Sequence, residues 1–156
     1  LNNLNKYSPT TATKKVIKND KQKDYRQVAC LNLSGKGFSF TGNKNTKYFN
    51  HIVLPNLVVS GNMLSNDKVI NKIVDNFKFK NEPLAKTLLE ALKIGKKFGS
   101  DKRGLMSAAL LVFKKNNPPL NIRVDHDTNP LLKLQKILKM TNKTKYKEWL
   151  KKLPNK

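Results

Sequence analysis

Cysteine occurs once in the 156 residues, at Cys30, which excludes an intrachain disulfide and a multi-cysteine metal site. Its alternating apolar surroundings predict a buried thiol used as a small hydrophobe. Acids are scarce: ten Asp and Glu stand against 32 Lys and Arg, a formal charge of +22. No apolar run approaches the roughly 18 residues that a membrane-spanning helix needs. The opening LNNLNKYSPTT has no basic-then-apolar leader pattern. No membrane partner is expected, and one thiol without an export signal predicts a cytoplasmic setting.

Arginine is also rare, confined to Arg26, Arg103 and Arg123. Clustered cations gain affinity for nucleic acid by counterion release. Guanidinium, however, is the better fork for phosphates and base edges, and here lysine dominates. The lysines are scattered over every predicted element without the interleaved aromatics of a single-strand platform. The charge therefore reads as the residue drift of an AT-rich coding sequence, and nucleic acid is not the expected partner. Where lysine is the default cation, the three arginines mark positions for planar, bidentate geometry, with a plain surface ion pair as the alternative for each.

The length is that of one domain. Ser8 and Pro9 predict a helix to about Asn19. Val28, Cys30 and Leu33 alternate, SGKG turns the chain, and Phe38 and Phe40 resume the pattern, which predicts a β-hairpin. GNKNTKYFNHIVLPN reads as a loop with aromatic anchors in which His51 is packed, and LVVSGNML as a short strand ending at Gly61. Two amphipathic helices come next, over DKVINKIVDNFKF and from Pro83 to the Gly95–Gly99 region. SAALLVFKK and NIRVDH are strands, and Pro130 opens another helix. The tail TNKTKYKEWLKKLPNK predicts one more short helix, with Trp149 and Leu150 docking on the body. Antiparallel strand pairs separated by helix pairs indicate a layered α+β fold, and SAALLVF, apolar on both faces, calls for cover on both sides.

Chemistry concentrates in GSDKRGLMSAALLVF. Gly99 and Gly104 permit positive φ and close backbone approach while presenting Asp101 and Arg103. Ser107 begins the next strand. Asn62, after Gly61, can donate an amide N–H to a developing oxyanion or serve as a turn residue. Arg123 and Asp125 share a strand face and can pair or flank a carboxylate substrate. Asp101 with Arg103 can equally only fasten the loop, and Asp125 can cap the next loop or helix. His126 with Asp127 lacks a third ligand, so no metal and no cofactor are expected. Ser107 has no histidine at a spacing suited to serve as its base.

Taken in order, DYRQVACLNLSGKGFSFTG, SGNML, PLAKTLLEALKIGKKFGSDKRGLMSAALLVF and IRVDHDTNP resemble the family called domain of unknown function 1028. The resemblance runs from about Leu4 to Lys139. It implies an N-terminal nucleophile (Ntn) hydrolase type of fold, α+β and built as a four-layer αββα sandwich, of which this chain lacks the first strands. On this resemblance residues 1–140 form the Ntn-hydrolase-like domain and 141–156 a basic helical tail. Such enzymes use the terminal amine as base for their own hydroxyl or thiol. Leu1 has neither, so the nucleophile is expected upstream of it, and the chain alone is expected to be inactive. The family commonly reads Val-Asp-Asp-His where this chain has Val124, Asp125, His126 and Asp127, an exchange that along a strand would turn the imidazole to the opposite face. Met106 stands where a polar residue is usual.

The expected function is amide-bond hydrolysis of a small-molecule or peptide substrate. Asn62, Asp101, Arg103 and Asp125 are the expected catalytic set, and Ser107 and Arg123 the substrate contacts. A non-catalytic binding module with the same fold is the alternative, and assembly into a homo-oligomer is left open.

Overall fold

Ser8 accepts the Thr11 backbone N–H at 3.2 Å, and Pro9 occupies the first turn, where a missing N–H costs nothing. Helix α1 (Pro9–Asn19) thus begins where its sequence signals place it. The computed structural model describes residues 6–79 and 81–152. The chain is a mixed α and β protein whose sheets are three antiparallel hairpins, and it divides into two compact units: residues 1–76 with 95–103, and residues 77–94 with 104–156.

In the first unit, β1 (Gln27–Leu31) pairs with β2 (Gly37–Thr41), and β3 (Asn50–Leu54) with β4 (Leu57–Gly61). Strand β3 corrects the sequence expectation of a loop over residues 50–54. Its two-residue connection, Pro55–Asn56, carries proline first and a left-handed residue second, Asn56 at φ 62°, as a type II turn requires. The hairpins face one another, β1 near β4 and β2 near β3; α1 packs on the first and α2 (Val69–Asn76) on the second. Helix α2 buries Val69 and Ile70 with Leu64, and Ile52, Val59 and Ile73 pack against them. Cys30 is only half-buried, on a strand whose outer residues face solvent.

In the second unit, β5 (Ala108–Val112) pairs with β6 (Leu120–Val124). Leu110, Ile122 and Val124 face inward, against Ala85 and Leu89 of α3 (Leu84–Lys97) and Leu134 and Leu138 of α4 (Pro130–Thr141). Residues 84–94 of α3 belong to this unit. The other face of the sheet presents Ala109, Leu111, Asn121 and Arg123 to solvent, with Leu111 52% exposed, so the two-sided cover expected for SAALLVF exists on one side. Helix α5 (Thr144–Lys151) half-buries Leu150, whereas Trp149 is exposed and meets the Tyr146 ring at 5.6 Å instead of docking. Among the described residues no helix is long and apolar enough to cross a membrane.

Candidate active site

Antiparallel register places the first residue of one strand opposite the last of its partner, so Gln27 meets Thr41 and Asn50 meets Gly61. Because β1 lies near β4 and β2 near β3, these four ends share one rim of the first unit. Gln27 ties them together. Its Nε2 lies 2.9 Å from Thr41 Oγ1, 3.0 Å from the Gly61 carbonyl and 3.3 Å from the Asn50 carbonyl, so two N–H bonds serve three acceptors. Its Oε1 accepts from Asn62 Nδ2 at 3.0 Å. Thr41 Oγ1 is 2.9 Å from His51 Nδ1. The Thr41 oxygen already accepts from Gln27, and Nδ1 is the acceptor in reach for its hydrogen among the described residues. With the ring proton on Nε2, Thr41 donates to Nδ1; with it on Nδ1, the ring donates to the second lone pair of the Thr41 oxygen. Gln27, Thr41, His51 and Asn62 are all half-buried.

The Asp101 loop is sewn to the same rim. Leu64 and Asp101 form an antiparallel bridge, Lys102 N–H donates to the Met63 carbonyl at 2.8 Å, and Ser65 N–H donates to the Ser100 carbonyl at 3.0 Å. On the opposite side, Met63 N–H donates to Thr46 Oγ1 and Leu64 N–H to the Tyr48 carbonyl, both at 3.1 Å. Left-handed backbone gathers here: Met63, next to Asn62, has φ 54°, Ser100, next to Asp101, has φ 59°, and Tyr48 has φ 63°. Such conformations are costly for side-chain-bearing residues and concentrate where surroundings hold a functional geometry in place. Gly99 has φ 136°, and a Cβ there would run into the Ser65 side chain. Gly104 has φ 96° with open space around it, so close approach holds at the first glycine and not at the second.

Arg103 grips Asp101 in the bidentate manner expected of a rare arginine: Nε to Oδ1 at 3.0 Å and a terminal nitrogen to Oδ2 at 2.7 Å. The Arg103 backbone N–H adds a third bond at 2.8 Å. The Arg103 side-chain hydrogen bonds, against some opposing desolvation, hold the Asp101 carboxyl below its usual range, and Asp101 in turn raises the guanidinium. Asp101 is thus a paired anion and a weak base. Arg26 binds Asp20 through Nε at 3.1 Å and Gln22 through its second arm, at the surface.

Asn62, Asp101 and Arg103 belong to the first unit, and Ser107, Arg123 and Asp125 to the second. Ser107 is exposed just ahead of β5. Arg123 and Asp125, both exposed, pair directly, with Nε to Oδ1 at 2.8 Å. Strand β6 ends at Val124, so the alternation of faces expected for His126 and Asp127 does not apply: both lie in the bend before α4. There Asp127 accepts the Asn129 N–H at 2.7 Å and pairs with Lys133 at 3.3 Å, which together hold its carboxyl low, the backbone bond most. Its N–H donates to the Met106 carbonyl at 2.9 Å, so the backbone of residue 106 keeps a bond that its side chain does not supply. Among the described residues no three His, Cys, Asp or Glu side chains gather where they could hold a metal ion.

Gln27, Thr41 and His51 stood outside the expected set, and His51, read as packed, is half-buried and also hydrogen-bonded at the rim. Only Thr41 carried a signal, and a faint one: Thr41-Gly42 places a polar side chain beside glycine at a strand end, as Gly61-Asn62 does.

A family model described as "Family of unknown function (DUF1028)" matches residues 1–134. The crystal structure of protein SPO2555 from Silicibacter pomeroyi, described under the same family model, matches with a TM-score of 0.86 at 28% identity, covering 96% of this chain and 67% of that one. A 71-residue stretch is 38% identical to the adenosylcobinamide-phosphate guanylyltransferase of Methanocaldococcus jannaschii. That match covers 45% of this chain and 35% of the guanylyltransferase, about a third of its length.

Proposed function

This chain belongs to the DUF1028 family of unknown function, and from that membership we propose a hydrolase-like protein of the N-terminal nucleophile type, acting on an amide bond at the rim of the first unit. The order α1, β1–β2, β3–β4, α2 within that unit supports reading it as an αββα sandwich. The observation that carries the proposal is Asn62: it follows β4, precedes the strained Met63, and has one amide N–H fixed on Gln27 while the second has no partner among the described residues and is assigned here to an oxyanion. Asp101 and Arg103 brace the loop beside it. The nucleophile in this reading is a Thr, Ser or Cys encoded upstream of Leu1, a residue that lies outside the described ones and has no hydroxyl or thiol.

The test begins with the coding sequence upstream of Leu1 and continues with the longest natural chain assayed on amide and peptide libraries. Turnover that falls about 10²–10³-fold in Asn62→Ala supports the proposal. An upstream segment with no Thr, Ser or Cys available as a first residue removes it.

A non-catalytic binding module is the second reading, favoured by the tight pairing of Asp101, which ties up an acid that catalysis would leave free. Stabilisation of the same chain by a library ligand without turnover distinguishes it. Guanylyl transfer is not proposed. Each described strand pair is an antiparallel hairpin, unlike the strand, glycine-rich loop and helix that cradle a nucleotide's phosphates.

A further inference from the structure

We propose that Thr41 and His51 form a nucleophile–base pair by which this chain itself accepts the acyl group of a small, activated carboxylic ester. Both residues lie in the first unit, and the step is written with residues of this chain alone.

The direction of one proton decides the chemistry. Thr41 Oγ1 and His51 Nδ1 are 2.9 Å apart, within the reach of general-base transfer. Gln27 Nε2 occupies one lone pair of the Thr41 oxygen at 2.9 Å; in the tautomer the proposal assigns, with the ring proton on Nε2, the hydroxyl hydrogen points to Nδ1 and the second lone pair is left for attack. The backbone around both groups is held. Thr41 is the last residue of β2, and the following Gly42 is pressed against the carbonyls of Lys23 and Asp24 so closely that a side chain there would meet backbone. His51 is on β3, its N–H bound to Asn50 Oδ1 at 2.8 Å. Through Gln27 the same hydrogen-bonded chain reaches Asn62, whose amide is the proposal's donor to the oxyanion.

In the first half of the reaction Thr41 Oγ attacks the acyl carbon, a new C–O bond forms, and the hydroxyl proton passes to Nδ1. The tetrahedral adduct collapses, the ester C–O bond breaks, and the leaving alkoxide takes the proton from His51 and departs as the alcohol. In the second half water attacks the Thr41 ester while giving a proton to Nδ1. The carboxylic acid leaves and the proton returns to Oγ. No oxidant, reductant or further reactant is required.

Two features set the rate low. Nε2 of His51 has no hydrogen-bond partner among the described residues, so the third member that orients the base in a triad is missing. The Thr41 methyl also crowds the attacking oxygen, and a primary hydroxyl should do better.

The experiment treats the 156-residue chain with p-nitrophenyl acetate, follows p-nitrophenolate release, and locates acetyl groups by peptide fragmentation. Hydroxylamine cleaves an ester on Thr41 but leaves the amides formed on surface lysines. The expected result is a hydroxylamine-labile acetyl on Thr41. Its rate of formation should drop about 10²-fold in His51→Gln and rise in Thr41→Ser. Thr41→Val should lose the label, with its melting curve showing that the variant still folds. Acetyl confined to lysines, or to the His51 ring, overturns the proposal, and so does labelling of Thr41 at an unchanged rate in His51→Gln. Should Thr41→Val not fold, the Ser and Gln variants decide by themselves. An absent upstream nucleophile leaves this result untouched, and an unlabelled Thr41 leaves the upstream reading standing, so the two proposals fail separately.

Discussion

Asn62 Nδ2 donates to Gln27 Oε1 at 3.0 Å, so a side chain at the start of β1 fixes the amide that stands just past the end of β4. The same Gln27 gives its N–H bonds to acceptors on β2, β3 and β4. One residue therefore joins both hairpins.

Replacing Gln27 with Leu keeps much of its volume but strips partners from Asn62 and Thr41 at a half-buried rim. Buried polar groups left unmatched cost about 1–3 kcal/mol, and at this half-buried rim, where water can take part of the loss, Gln27→Leu should lower unfolding stability by about 1 kcal/mol in urea titrations. Paired with Asn62→Ala in a double-mutant cycle, it should show coupling above about 0.5 kcal/mol. Strict additivity would mean that the bond between them contributes nothing.

The Asp101 carboxyl is held low in the folded chain by the Arg103 hydrogen bonds. A depressed folded value stabilises the native state above the unfolded value of about 4. That contribution disappears as pH falls through the folded value. The denaturation midpoint of the parent should therefore drop more steeply below about pH 4 than that of Asp101→Asn, the two curves converging in strong acid. Asp20 and Asp127 are shifted the same way, so only the difference between the two proteins reads Asp101. Parallel curves across this window would show that the pairing is not maintained in solution.

Gly99 and Gly104 both have positive φ, at 136° and 96°, but only the first is crowded. Gly104→Ala should lose about 1–2 kcal/mol from backbone strain alone. Gly99→Ala should lose more, because its methyl must also displace Ser65 and the Asn66 amide that donates to the Phe98 carbonyl at 2.8 Å. Equal losses in urea unfolding would place the whole effect in the backbone.

The legible parts of the fold are those whose signals are local. Helix α1 could be read because Ser8 and Pro9 act on their immediate neighbours, and β1–β2 because alternation and a glycine turn lie within one short stretch. Strand β3 escaped because it opens on Asn50 and His51 and keeps only three apolar residues before Pro55, too short a run to display a period. Asp101 and Arg103 were visible because glycines flank them, and their grip on one another is one of the two alternatives their spacing allows. The rim was not visible. Gln27, Thr41, His51 and Asn62 meet through strand register and hairpin stacking, whereas periodicity tells which face a residue occupies and not which strand ends come together.

Core packing in the second unit gives the sharpest contrast on a single helix. Leu134 of α4 is 0% exposed, enclosed with Leu110, Ile122 and Val124 of the sheet and Leu89 of α3, while Leu132, two residues earlier, is 46% exposed. Truncating a buried leucine removes its transfer free energy and leaves a cavity that close-packed neighbours fill only in part. Leu134→Ala should therefore lose about 2–5 kcal/mol. Alanine is at least as good a helix former as leucine, so Leu132→Ala should stay within about 0.5 kcal/mol of the parent. Urea unfolding followed by circular dichroism measures both, and hydrogen exchange locates the loss, which should appear as faster exchange of the β5 and β6 amides in Leu134→Ala. Comparable losses for the two leucines would mean that α4 does not present Leu134 to this core.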